Sequence, residues 1–164
     1  MKRILFYVVL VFSIFFLQTG IFTRLAAGGI EPNLLVISTV SIGILRGKKE
    51  GCLIGFAFGL MMDSLFGLYF GLYALILAVL GYISGYLQKI IYEEDMTLPI
   101  LMIGLGDIVY SLAIFVLTFL VRGRMALPVY FVHIILPEVI YTLALSIIIY
   151  RVISAVNTGL ERSR

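Results

Sequence analysis

The chain is poor in the residues from which most soluble active sites are built. It has a single cysteine, Cys52, and a single histidine, His133, which excludes an internal disulfide and a zinc-type cluster. Charged residues make up 13% of its 164 positions, against about 25% in an ordinary globular domain. Disordered segments are rich in charge and poor in apolar residues, so this scarcity excludes one. The net charge of +3 is small and scattered, which excludes a nucleic-acid surface. Catalytic signatures are lacking too: there is no Ser-His-Asp set, no H-E-x-x-H pair and no phosphate loop. No metal, cofactor or catalytic residue is expected.

What the chain has is apolar surface. Hydrophobic residues make up 62% of it, and its mean hydropathy is +1.16. A soluble protein of this size has too little interior to hide so much. The composition therefore predicts an all-α integral membrane protein.

Apolar runs between short polar breaks predict six transmembrane helices in one polytopic domain spanning residues 1–164. They lie at about 4–22, 33–45, 51–66, 70–88, 98–121 and 129–150. A bilayer core takes about 20 helical residues. The first run follows Lys2 and Arg3 as a signal peptide would, but it is too long and further spans follow, so an uncleaved helix is expected. The second run is short, about 20 Å of helix. Basic residues favour cytoplasmic loops and can test whether it crosses. If it does, Lys2, Arg3, Arg46, Lys48, Lys49, Lys89, Arg151, Arg162 and Arg164 lie inside, and only Arg24, Arg122 and Arg124 lie outside. If it does not, four lie inside and eight outside. The first arrangement is preferred, with both termini cytoplasmic. The short helix must then be shielded by its neighbours or thin the bilayer. The longest polar connection, residues 89–97 with Glu93, Glu94 and Asp95, falls inside.

Glycines recur every four residues at Gly43, Gly47, Gly51, Gly55 and Gly59, with Gly67 and Gly71 in phase. Residues four apart share a helix face. Small-residue stripes let helix backbones approach closely in lipid. Gly51, Gly55 and Gly59 on the third helix, and Gly81 and Gly85 on the fourth, are therefore candidates for internal packing or for contact with a partner's helix.

Few acids lie within the spans, and no Lys or Arg lies there to pair with them. Asp63 continues the glycine stripe and is expected either at the packed interface or capping the turn at 64–67. Asp107 and Glu138 each sit nine residues into their helices, from opposite sides, so both are expected near mid-membrane. Each is expected to hydrogen-bond to the other, to Tyr110 or to Tyr141. A polar clamp, a ligand or proton site, and a partner contact are all open readings. Pro137 should kink the sixth helix and free the carbonyl of His133. His133 itself is expected to be structural. Glu31-Pro32-Asn33 reads as a helix start.

These residues, in order, resemble one family. Pro32-Asn33-Leu34-Leu35, Leu45-Arg46-Gly47-Lys48-Lys49-Glu50-Gly51 and the run from Gly55 through Asp63 are similar to the rod shape-determining protein MreD family. So are Gly71-Leu72-Tyr73-Ala74-Leu75, residues 80–85 and Leu136-Pro137-Glu138-Val139-Ile140-Tyr141. Thr142 departs from the pattern, where an Asn is expected. The resemblance implies a non-enzymatic component of the bacterial inner membrane that serves cell elongation. Its implied partners are MreC, MreB, and RodA with its penicillin-binding transpeptidase, along with membrane lipid. It also implies a fold like the substrate-binding subunits of energy-coupling-factor transporters. A carrier subunit with a pocket near Asp107 and Glu138 is thus the alternative. Such subunits show an Ala-x-x-x-Ala pattern in their first helix, and residues 4–22 contain no alanine.

Overall fold

The computed structural model describes residues 2–26, 28–66, 70–90, 96–119 and 127–162. Six helices cross these residues. α1 (residues 2–25) consists of Lys2–Phe16, a π-helical turn at Leu17–Phe22 and a last turn, Thr23–Leu25. α2 is Leu34–Arg46 and α3 is Lys48–Phe66. α4 is Leu72–Tyr86, tightening to a 3-10 turn at Leu87–Lys89. α5 is Thr97–Phe119. α6 (residues 127–162) also holds a π-helical turn, Phe131–Ile135, ahead of its main stretch Leu136–Arg162. Leu5–Phe22, Leu72–Lys89, Thr97–Phe119 and Pro128–Gly159 are long and apolar enough to cross a membrane.

Two helix ends differ from expectation. α3 starts at Lys48 rather than Gly51, because a single residue, Gly47, separates it from α2. Gly47 has φ +95°, a conformation that L side chains rarely adopt, and its N–H closes α2 on the Gly43 carbonyl at 2.8 Å. α6 runs twelve residues past the expected end at 150. Hydropathy reports where the membrane ends, not where the backbone stops being helical. Arg151, Ala155 and Leu160 are good helix formers and carry the helix onward.

α2 lies at the centre of the bundle. Every residue from Leu34 to Ile44 is buried, and α2 packs against α3, α4, α5 and α6. A helix enclosed on all sides by protein has no need of full bilayer length, which accounts for its shortness. Outward-facing residues of the enclosing helices are large and apolar, among them Phe12, Leu75, Leu105 and Ile148. α1 packs more lightly. It faces α6 across an apolar groove of about 500 Å³ between Phe6, Leu10 and Ile14 on one side and Leu145 and Ile149 on the other.

The glycines bring α3 and α4 together, and these form the most intimate helix pair. A Cβ on Gly55 would overlap the Leu77 carbonyl, one on Gly59 the backbone of Tyr73 and Ala74, and one on Gly81 the Gly51 carbonyl. Gly85 meets Gly47 and Lys48 in the same way. Gly43 extends the contact to α2, where Ser84 and Gly81 leave no room for a side chain. Gly51, Gly55, Gly59, Gly81 and Gly85 are thus all placed inside the protein. Gly67 lies outside the described residues.

Candidate functional site

α2 begins inside the bundle, which creates a problem that several side chains share in solving. The first N–H groups of any helix lack intrahelical partners, and buried ones must find acceptors elsewhere. Asn33 is the N-cap, and its Oδ1 accepts the Val36 N–H at 3.2 Å. The Leu34 N–H donates to Oε1 of Gln18 at 2.8 Å, and the Asn33 N–H donates to Oγ1 of Thr142 at 3.0 Å. The π-helical turn of α1 carries Gln18, and α6 carries Thr142. Three helices therefore meet at one helix end.

Carboxylates gather around that end. Asp107 on α5 is fully buried, with the side chains of Asn33 and Thr142 beside it. No described group reaches either of its oxygens with ordinary hydrogen-bond geometry. Glu138, one turn from Thr142, accepts the Ser111 hydroxyl at 3.2 Å, and Ser111 lies one turn from Asp107. Across the α5–α6 seam Ser111 thus bonds Glu138, and Asp107 lies opposite Thr142. Glu31 receives Thr23 Oγ1 at 3.2 Å and Gln18 Nε2 at 3.3 Å. Glu31, Asn33, Tyr110 and Glu138 line a cavity of about 240 Å³. Negative charge near a helix N-terminus is favoured by the helix dipole, so the start of α2 suits these acids electrostatically.

Asp63 solves the same problem at α4. It is 4% exposed, and its two oxygens accept the N–H groups of Tyr73 at 3.1 Å and Ala74 at 3.0 Å. It therefore caps the next helix, α4; the turn expected at 64–67 includes Gly67, which lies outside the described residues. An acid within a span costs about 2.5–3.5 kcal/mol on the mildest scale. Hydrogen bonds to a charged group return about 1.5–3 kcal/mol each, so two are enough to hold it.

Several expected pairings are replaced by others. Asp107 and Glu138 do not bond each other: Glu138 takes the Ser111 hydroxyl across the α5–α6 seam, and Asp107 lies beside Thr142. Tyr141 is 44% exposed and faces out of the bundle, whereas Tyr110 is buried against Tyr73 with ring centroids 6.4 Å apart. Pro137 is accommodated by the π-helical turn directly before it, in which the Leu136 N–H reaches back to the Phe131 carbonyl. Widened turns of this kind, like proline, are places where a helix bends. His133 is exposed and bonds within its own helix, to the Val129 carbonyl at 3.1 Å. Asn33 forms the helix start, and Pro32 stands just outside it. Among the described residues no group of three or more His, Cys, Asp or Glu side chains is placed to hold a metal.

Sequence reasoning missed Gln18 and Ser111, and noted Thr142 only as a departure from the family's pattern. Uncharged polar residues in apolar runs carry little signal by themselves. The clue available was that a helix as short as α2 must start below the surface and so needs buried acceptors.

A bundle of long apolar helices, with its buried acids set against helix ends, is a helical membrane protein. The family model described as rod shape-determining protein MreD matches residues 1–156, and the chain belongs to that family. It is a rod-shape-determining membrane protein of the cell-elongation machinery. No curated protein and no solved structure matches it. The expected likeness to energy-coupling-factor subunits therefore has no comparison behind it.

Proposed function

We propose that the chain is a non-enzymatic scaffold of the bacterial inner membrane that binds MreC and, with it, MreB and the RodA–transpeptidase synthase pair. The observation that carries this reading is the family match, which covers nearly the whole chain. We read the chain as one membrane domain that crosses six times with both termini cytoplasmic. The nine-to-three division of Lys and Arg supports that topology. The enclosure of α2 supports it as well, since a short helix can cross when its neighbours shield it. In this reading the polar cluster around Asn33 is structural. It fixes α1, α5 and α6 to the central helix, so that the bundle presents partners with a fixed surface.

The test is co-expression of the tagged full-length chain with MreC, followed by capture in mild detergent. Stoichiometric MreC in the eluate is expected. A well-folded, membrane-inserted chain that captures neither MreC nor the synthases would overturn the proposal.

A further inference from the structure

At the end of the bundle where α2 turns into α3, four cations from two separate segments surround one concavity. Arg46, Lys48 and Lys49 come from the α2–α3 junction, and Lys89 comes from the end of α4. The cavity is about 570 Å³. Among the described residues Glu50 is the one acid lining it, and the Tyr7 hydroxyl donates to its carboxylate. The described lining residues therefore carry +3, four cations against one carboxylate. The floor is fixed. Gln88 donates its amide to the Leu45 carbonyl at 3.2 Å, and the close approach of Gly85 to Gly47 leaves no space between α4 and the junction. Lys48 rests with Nζ 5.8 Å from the centroid of the Tyr82 ring, a cation–π contact that directs it along α4.

Tyr86 and Ile90, 66% and 63% exposed, form an apolar rim on the same mouth. Below them Val79, Tyr82 and Ile83 continue an outward apolar strip along α4. Cations above an apolar strip match a molecule with a phosphate at one end and hydrocarbon at the other. Free phosphate uses only the upper half.

We propose that this basic cavity binds the headgroup of an anionic glycerophospholipid whose acyl chains lie along the outward face of α4. The site is separate from the polar cluster at the start of α2, and it rests only on the reading that the helices span a membrane. Juxtamembrane Lys and Arg each add about a fivefold preference for anionic lipid. Four of them converging on a fixed cavity make a saturable site rather than a diffuse attraction.

The test uses the purified full-length chain in neutral detergent, titrated with phosphatidylglycerol, phosphatidylcholine or inorganic phosphate while thermal unfolding is followed. Saturable stabilisation by phosphatidylglycerol alone is expected. In the double variant Lys49→Gln/Lys89→Gln, two exposed side chains are neutralised without disturbing packing. Its apparent affinity should fall about 30-fold. Arg151→Gln, an exposed cation elsewhere, should bind as the parent does. Equal stabilisation by phosphatidylcholine, full protection by inorganic phosphate, or equal loss in Arg151→Gln would each overturn the proposal. So would a loss of stability together with a gain in lipid response on neutralising Glu93, Glu94 and Asp95, since that result makes the acidic run the occupant.

Discussion

Asp63 on α3 accepts the backbone N–H of Ala74 on α4 at 3.0 Å, and the same Ala74 backbone lies where a Cβ of Gly59 would stand. One residue of α4 is thus fixed twice, by an acid that caps its helix and by a glycine that admits it. Asp63→Ala leaves the Tyr73 and Ala74 N–H groups without acceptors and should destabilise the protein by about 1–3 kcal/mol. Asp63→Asn keeps one acceptor oxygen and should lose less. Thermal unfolding of both variants in detergent decides this, and equal losses would count against the capping role.

The glycine face should tolerate nothing larger than hydrogen. Gly55→Ala and Gly59→Ala place a methyl on the opposing backbone, and overpacking of this kind costs about 1–3 kcal/mol. Gly20 has no atom within 4 Å of where its Cβ would lie, so Gly20→Ala should be silent. Unfolding temperature and membrane accumulation measure the contrast.

At Thr142 the hydroxyl is what counts. Thr142→Val preserves shape but deprives the Asn33 N–H of its acceptor, a buried loss of about 1–3 kcal/mol. Thr142→Ser should retain most of the stability. If valine is as stable as the parent, the polar cluster is not holding α2 in place.

The helices and their order were legible in the sequence because apolar runs alternate with short polar breaks, although among the described residues only four of the six are long and apolar enough to cross a membrane. The α3–α4 seam was legible for a related reason: four-residue glycine spacing maps directly onto a helix face. The partners of the buried acids were not. Asp107 and Glu138 lie at matched depths, which suggested a direct pair, but rotation about each helix axis sets them against Thr142 and Ser111 instead. Depth is read from counting residues, whereas rotation is settled only by packing. Asp63 illustrates the same gap, since its acceptors' partners lie ten and eleven residues downstream on another helix.

Topology is open to direct labelling. In a Cys52→Ala background, single cysteines replacing Lys48 or Glu94 should be protected from an impermeant maleimide in intact spheroplasts, and those replacing Arg24 or Arg124 should react. Reaction at position 48 from outside would contradict the six-crossing arrangement.

The account rests most on a structural role for the interior acids, and shape complementation tests that most directly. Asp107→Asn and Glu138→Gln keep the side-chain size and an acceptor oxygen, so in a strain depleted of the native protein both should restore rods at normal protein levels. Glu138→Ala removes the acceptor for Ser111 and should do worse. Round, lysing cells from a Glu138→Gln protein that accumulates normally and still captures MreC would contradict the account, because the ionisable carboxylate itself would then be required.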